Sequence, residues 1–194
     1  MKVGLYFGSF NPIHIGHLVI ASHLLNETDL QKIWFVVSPL NPFKESESLV
    51  NEYDRLHLVQ KAIEDDPRFK VTDIEFTLPR PSYTINTLTY LVEKYPGYEF
   101  RIIMGSDSYQ NIMKWKNPEQ ILSGYGILVY RRPGFDVTPI EGSRTTILDA
   151  PLLQISATHI RELVRKGKSI KYLVPAEVEN EIRNSNLFRK TQKK

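Results

Sequence analysis

The sequence predicts one α/β domain built on a doubly wound, mostly parallel sheet. Three observations predict it. Short apolar runs alternate with amphipathic stretches of helical spacing along most of the chain. The runs close on small or turn-forming residues, Gly8-Ser9, Ser38-Pro39 and Gly105-Ser106-Asp107. A length of 194 residues suffices for one core and leaves little room for a second. Sheets of this kind bind ligands beyond the carboxyl ends of their strands, where the strand order reverses, so the three strand ends are expected to face one crevice.

Element by element, Lys2 to Phe7 is an apolar strand closed by Gly8-Ser9. Gly16 to about Asn26 reads as a helix, with Leu18, Ile20, Ala21, Leu24 and Leu25 on its apolar face. Ile33 to Val37 is a second buried strand, and the prolines, serines and glutamates between Pro39 and Asn51 mark a polar loop. Helices at Glu52 to Glu64 and Tyr83 to Glu93 flank a strand at Val71 to Phe76. Phe100 to Met104 is the next strand, followed by a helix through about Met113. Strands at Ile127 to Tyr130 and Thr146 to Leu148, then helices at Ser156 to Arg165 and Pro175 to Asn184, complete a Rossmann-like pattern. The chain is expected to be a single domain over 1–194, with a core of about 1–150, a small C-terminal helical part of about 151–188 and a frayed tail at 189–194.

Composition narrows the chemistry. Hydrophobic residues make up 41% and charged residues 24%, as in a folded globular domain. The chain has no cysteine, which excludes disulfides, thiol nucleophiles and Cys-ligated metal. The N-terminal apolar run stops at Gly8-Ser9 without a signal-peptide core, and no run approaches the ~20 residues that span a bilayer. A cytoplasmic protein without a membrane partner is the expectation. The net charge of +3 is uneven: from Arg161 onward ten Lys and Arg face four Asp and Glu, a local +6, and the rest carries −3. That suits an anionic ligand at the start of the last segment, or a nucleic-acid-binding module along it. Nothing here resembles an aromatic RNA platform or a zinc finger, so nucleic acid is not the expected partner. A homo-oligomer is compatible with the sequence.

The strongest chemical feature is the stretch from Gly8 to His17, Gly-Ser-Phe-Asn-Pro-Ile-His-Ile-Gly-His, between the first strand and the first helix. Small residues let backbone approach a ligand, and a helix start offers free N–H groups and a positive dipole end to an anion. His14 and His17, three positions apart, can converge on one phosphate and donate to it as it gains charge. A His-x-x-His metal pair is the rival, but no further ligand cluster lies nearby in sequence, and no protein metal site is expected. The dinucleotide fingerprint is missing. So is a Walker loop, because Glu162 stands where the first glycine before Gly167-Lys168-Ser169 belongs.

Gly8 to His17 carries the H-x-G-H signature of the nucleotidyltransferase superfamily and resembles the bacterial nicotinate-nucleotide adenylyltransferase family in its full spelling. The resemblance continues through Arg80-Pro81-Ser82-Tyr83-Thr84-Ile85-Asn86-Thr87-Leu88, the strand end Ile103-Met104-Gly105-Ser106-Asp107, Trp115, and Arg131-Arg132-Pro133-Gly134. It extends to Ile155-Ser156-Ala157-Thr158-His159-Ile160-Arg161 and Tyr172-Leu173-Val174-Pro175, so it covers nearly the whole chain.

The resemblance implies transfer of AMP from ATP to nicotinate mononucleotide, giving the deamido dinucleotide and pyrophosphate, with Mg2+ carried on the ATP. It implies that His14, His17, Lys44 and Arg161 act on the phosphates. The ATP site would also draw on Gly8, Ser9, Phe10, Gly105, Asp107, Ser156 and Thr158. Tyr83, Thr84, Trp115 and Arg132 would hold the mononucleotide. Read alone, Lys44 could be a solvated loop lysine, and Phe43 stands where the family often has histidine. Ser156 and Asp107 could be helix caps, and Trp115 core filler. Nicotinamide mononucleotide, or both bases, is the alternative acceptor.

Overall fold

The computed structural model describes residues 1–39 and 49–189. Lys44 and the last five residues of the tail lie outside them. The described elements are β1 (Lys2–Gly8), α1 (Ile15–Glu27), β2 (Lys32–Val37), α2 (Glu52–Ile63), β3 (Phe69–Thr72), α3 (Thr84–Lys94) and β4 (Glu99–Gly105), followed by α4 (Ser106–Tyr109), α5 (Pro118–Gly124), β5 (Gly126–Tyr130), β6 (Arg144–Leu148), α6 (Ala157–Arg165) and α7 (Ala176–Asn184). The six strands form one sheet in the order β3-β2-β1-β4-β5-β6, and every pairing is parallel. The order reverses between β1 and β4, which places the crevice over Gly8 and Gly105.

The four central strands, β2, β1, β4 and β5, are apolar on both sides because both faces of the sheet are covered there, whereas the edge strands β3 and β6 carry Lys70, Arg144 and threonines. In β2, Ile33, Phe35 and Val37 enter the core shared with α1 and α2, whereas Trp34 and Val36 enter the core shared with α3 and α5. The C-terminal helices join the first of these: Ile160 of α6, Val178 and Ile182 of α7, and Phe188 pack with Tyr6 and Phe35. Helix α7 packs against α2, and Ile15 at the start of α1 donates its N–H to Leu173 O at 3.0 Å, which ties this last segment to the end of the Gly8 to His17 stretch.

Two elements differ from the sequence expectation. The strand expected at Val71 to Phe76 runs from Phe69 to Thr72, and Ile74 to Phe76 forms a 3-10 turn instead. Phe76 donates its N–H to Asp73 O at 2.8 Å, and the turn carries Glu75 into the interior. The helix expected through Met113 is one turn, α4, and a separate 3-10 turn at Ile112 to Lys114. A short helix not expected from sequence, α5, starts with Pro118 in its first turn, where a missing N–H costs nothing.

Candidate active site

The loop from β1 to α1 is shaped by one aromatic ring. Phe10 adopts φ +43°, a left-handed conformation that a bulky residue rarely takes. Its ring is buried and meets Tyr6, His17 and Phe35 edge-on, with centroids 5.9, 5.1 and 5.6 Å away. A Cβ on Gly8 would lie 2.7 Å from that ring, so glycine is what lets the ring fold back over the strand end. His14 then caps α1 in extended conformation, and the helix starts at Ile15 with its amide dipoles aimed at the crevice.

The two imidazoles stack, with centroids 3.8 Å apart and planes 28° from parallel. His14 N–H donates to His17 Nδ1 at 3.2 Å. An Nδ1 that accepts carries no proton, so the neutral ring of His17 holds its hydrogen on Nε2 and is a donor there. His14 is buried, and its Nδ1 has no hydrogen-bond partner among the described residues. Burial, with a smaller contribution from the Arg132 charge, lowers its pKa to about 4, so it is neutral at pH 7 in the free protein.

That shift fixes a sign. An unfolded histidine takes up its proton near pH 6.5 and the folded His14 only near 4. Between those values the unfolded chain binds more protons, so stability is fully present above pH 6.5 and falls as the pH drops through the window, by up to about 3 kcal/mol. Urea unfolding at pH 7.5 and pH 5 should show this loss, and His14→Gln should remove most of it. A wild-type stability unchanged over that interval would contradict the assignment.

A second helix start opens on the same cavity. Ser156 Oγ caps α6 by accepting His159 N–H at 3.2 Å. One turn on, Arg161 donates from Nη1 to Asn11 O at 2.8 Å and from Nη2 to Thr158 Oγ1 at 3.2 Å, joining α6 to the β1–α1 loop. Gly8, Ser9, Phe10, His14, His17, Asp107, Ser156, Thr158 and Arg161 all line this cavity.

A neighbouring cavity is lined by Tyr83, Thr84 and Trp115, with Lys114 and Lys116 at its rim. Trp115 is half-buried, and Lys116 Nζ stands 4.7 Å from the Tyr83 ring centroid. The start of α3 opens here, with Tyr83 extended as its N-cap. The two cavities share Tyr6, Phe7, Gly8, Ser108 and Tyr130, and the hydroxyls of Tyr6 and Tyr130 lie 3.3 Å apart at that seam. Burial pushes both phenols up, so both are neutral donors or acceptors at physiological pH.

Two of the sequence-derived residues fall on the opposite side from their expected partners. Gly105 lines the cavity of Tyr83 and Trp115, and Arg132 lines the cavity of the histidines. Arg132 Nη1 donates to Asp107 Oδ2 at 2.9 Å. A Cβ on Gly105 would lie 2.4 Å from Asp107 Oδ1 and 2.8 Å from Arg132 Cδ, so glycine makes room for this ion pair against the strand end. Lys44 lies outside the described residues.

Sequence reasoning missed three features of the site. Glu75 is buried on the wall of the second cavity, accepting from Ser82 Oγ at 3.0 Å and Thr87 Oγ1 at 2.9 Å. Burial raises its pKa, while the hydroxyls of Ser38, Thr87 and Ser82 oppose the rise. Arg55 and the Tyr6–Tyr130 pair are the others: an arginine in an amphipathic helix reads as solvated, and the two tyrosines sit in strand runs that read as ordinary core. Among the described residues no three His, Cys, Asp or Glu side chains gather where a metal ion could be held. Nor is any helix there long and apolar enough to cross a membrane.

Residues 5–163 match the model of the cytidylyltransferase-like family. A Cytophaga hutchinsonii protein described as "Probable nicotinate-nucleotide adenylyltransferase" is 52% identical over 180 residues, covering 92% of this chain and 94% of that protein. A Flavobacterium psychrophilum protein of the same description is 48% identical over 193 residues, covering 98% and 100%. Among solved structures, Plasmodium falciparum nicotinic acid mononucleotide adenylyltransferase, complexed with NaAD, matches with a TM-score of 0.80 over 96% of this chain and 97% of that one. At 20% identity that likeness is one of fold. The bacterial matches run through the strand-end loop, both cavities and the start of α6, and on their identity and extent this chain belongs to the nicotinate-nucleotide adenylyltransferase family, within the cytidylyltransferase-like proteins.

Proposed function

We propose that this protein transfers AMP from ATP to the 5′-phosphate of nicotinate mononucleotide, in the cytoplasm, as a step of NAD biosynthesis. The observation that carries the reading is the pair of cavities meeting at one seam. The first is flanked by two helix starts, two imidazoles and two guanidiniums, and the second by an indole and a third helix start. A triphosphate suits the first and a flat pyridine nucleotide the second.

In the proposed step an oxygen of the acceptor phosphate bonds to the α-phosphorus of ATP. The bond from that phosphorus to the bridging oxygen breaks, and pyrophosphate leaves with the electron pair. The acceptor phosphate is already ionised near pH 7, so no general base is required. Alignment and charge neutralisation are what the protein supplies. His17 donates from Nε2 to the α-phosphoryl oxygens, with His14 stacked beneath it. Ser156, Thr158, Arg161 and the free N–H groups of α6 take the leaving pyrophosphate. Lys44 is assigned to the triphosphate on the family resemblance alone. Asp107 reaches the adenosine, and Arg132, held by Asp107 beside the seam, balances phosphate charge there. Backbone around Tyr83 and Thr84 receives the pyridine carboxylate while Trp115 stacks on the ring.

Mg2+ carried on the ATP would supply charge neutralisation for the leaving group. Of the described residues lining the ATP cavity, the single carboxylate is Asp107, already engaged by Arg132. This donor set fits an ion carried by substrate.

The test is a pair of rates. With ATP and Mg2+, nicotinate mononucleotide should yield pyrophosphate and the deamido dinucleotide, with kcat/KM on the order of 10²-fold above that for nicotinamide mononucleotide. A carboxylate satisfies helix-start N–H donors and their dipole, whereas an amide brings N–H groups of its own. Equal or faster turnover of the amide would overturn the choice of acceptor and leave adenylyl transfer standing.

A further inference from the structure

Helix α2 buries a charge. Its inward residues Leu58, Val59, Ala62 and Ile63 are apolar, yet Arg55 beside them is wholly buried. A buried guanidinium is costly unless its donors are met. Four main-chain carbonyls meet them: Ser9 at 2.6 Å and Ser38 at 2.8 Å from Nη1, Pro39 at 3.1 Å from Nη2, and Val50 at 3.1 Å from Nε. One planar fork thus ties the β1–α1 loop, the exit of β2 and the approach to α2. Pro39 and Val50 stand on either side of residues 40–48.

Capture of the Ser9 carbonyl has a consequence on the other edge of that peptide. The Ser9–Phe10 bond is trans, and in a trans peptide the N–H points away from the C=O. Arg55 holds the oxygen on its own buried side, so the Phe10 N–H faces away from the guanidinium, and Ser9, Phe10 and His14 all line the first cavity. The left-handed φ of Phe10 is an unfavourable conformation that persists only where its surroundings hold it. The buried ring holds one side and Arg55 the other.

We infer that Arg55 is a positioning residue for adenylyl transfer: by holding the Ser9 carbonyl it aims the Phe10 amide at the phosphates of bound ATP. The inference rests on the cavity being an ATP site as proposed above.

Ser9–Phe10 is the one Ser-Phe pair in the sequence, so labelling serine with 13C at the carbonyl and phenylalanine with 15N isolates the Phe10 amide as a single resonance. In the wild type that signal moves downfield as ATP saturates the protein. In Arg55→Lys, which keeps the charge but replaces the planar fork with one ammonium, ATP binds on the order of 10-fold more weakly and the signal no longer moves. Should that variant not fold, Arg55→Gln, which buries no charge, carries the same comparison. Val59→Ala, a cavity in the same helix, lowers the melting temperature and leaves ATP affinity unchanged if the role of Arg55 is positional.

A wild-type Phe10 signal that ignores ATP overturns the inference. So does an Arg55 variant that binds ATP as tightly as the wild type, or equal weakening by Val59→Ala. ATP binding is measured by calorimetry without acceptor. Failure of the wild type to make the dinucleotide therefore sinks the functional reading separately.

Discussion

His17→Ala is expected to lower kcat by on the order of 10²- to 10³-fold while leaving the affinity for ATP nearly unchanged. The reason is the fixed tautomer. The His14 main-chain N–H occupies His17 Nδ1 and leaves Nε2 as the donor, with its direction set by the stacked His14 ring and by the edge of Phe10. Such a donor needs no reorientation when charge grows on the α-phosphoryl oxygens, and its hydrogen bond strengthens at that moment. In the proposed complex the ground-state triphosphate would also have two helix starts and the Arg161 guanidinium as partners, so it should lose little when one imidazole goes. Steady-state kinetics with both substrates saturating, paired with a calorimetric ATP titration, separate the two effects. A variant with unchanged kcat and a raised KM for ATP would mean that the ring binds ground state and transition state alike, and the transition-state role would have to be given up.

Much of this site could be read before any coordinates because its parts are local. Gly8, Phe10, His14 and His17 lie within ten consecutive residues, and the strand-to-helix switch that places them depends on glycine, proline and a change of apolar spacing. The strands were legible for a similar reason: both faces of a parallel sheet are buried, which writes near-continuous apolar runs into the sequence. Val-Thr-Asp-Ile-Glu-Phe misled because its alternation has the period of a strand, whereas Glu75 is drawn inward by Ser82 and Thr87, seven and twelve residues away. Helix α5, seven residues long, is too short to display a helical repeat, and the Asn117-Pro118 pair was its one signal. Arg55 and the Arg132–Asp107 pair join segments distant in the chain. An arginine in an amphipathic helix ordinarily reads as solvated, and no local pattern reveals that it will find four carbonyls inside.

Arg161→Ala should cost on the order of 10²-fold or more in kcat/KM for ATP, and Arg161→Lys should recover part of it. Burial lowers the pKa of this guanidinium, but arginine remains charged at any physiological pH, so a fixed cation sits one turn into α6 beside the first-turn amides. A charge-assisted bond of that kind contributes about 1.5–3 kcal/mol, and a phosphate can take two parallel ones from the planar fork. Lysine keeps the charge and loses the fork, which separates electrostatic from geometric contributions. The same side chain also donates to Asn11 O, so its removal loosens the join between α6 and the β1–α1 loop as well. Product inhibition distinguishes the two consequences: if Arg161 grips the leaving group, pyrophosphate inhibits the alanine variant at least about tenfold more weakly than the wild type. Undiminished inhibition by pyrophosphate, alongside a depressed rate, would assign Arg161 to holding the loop alone.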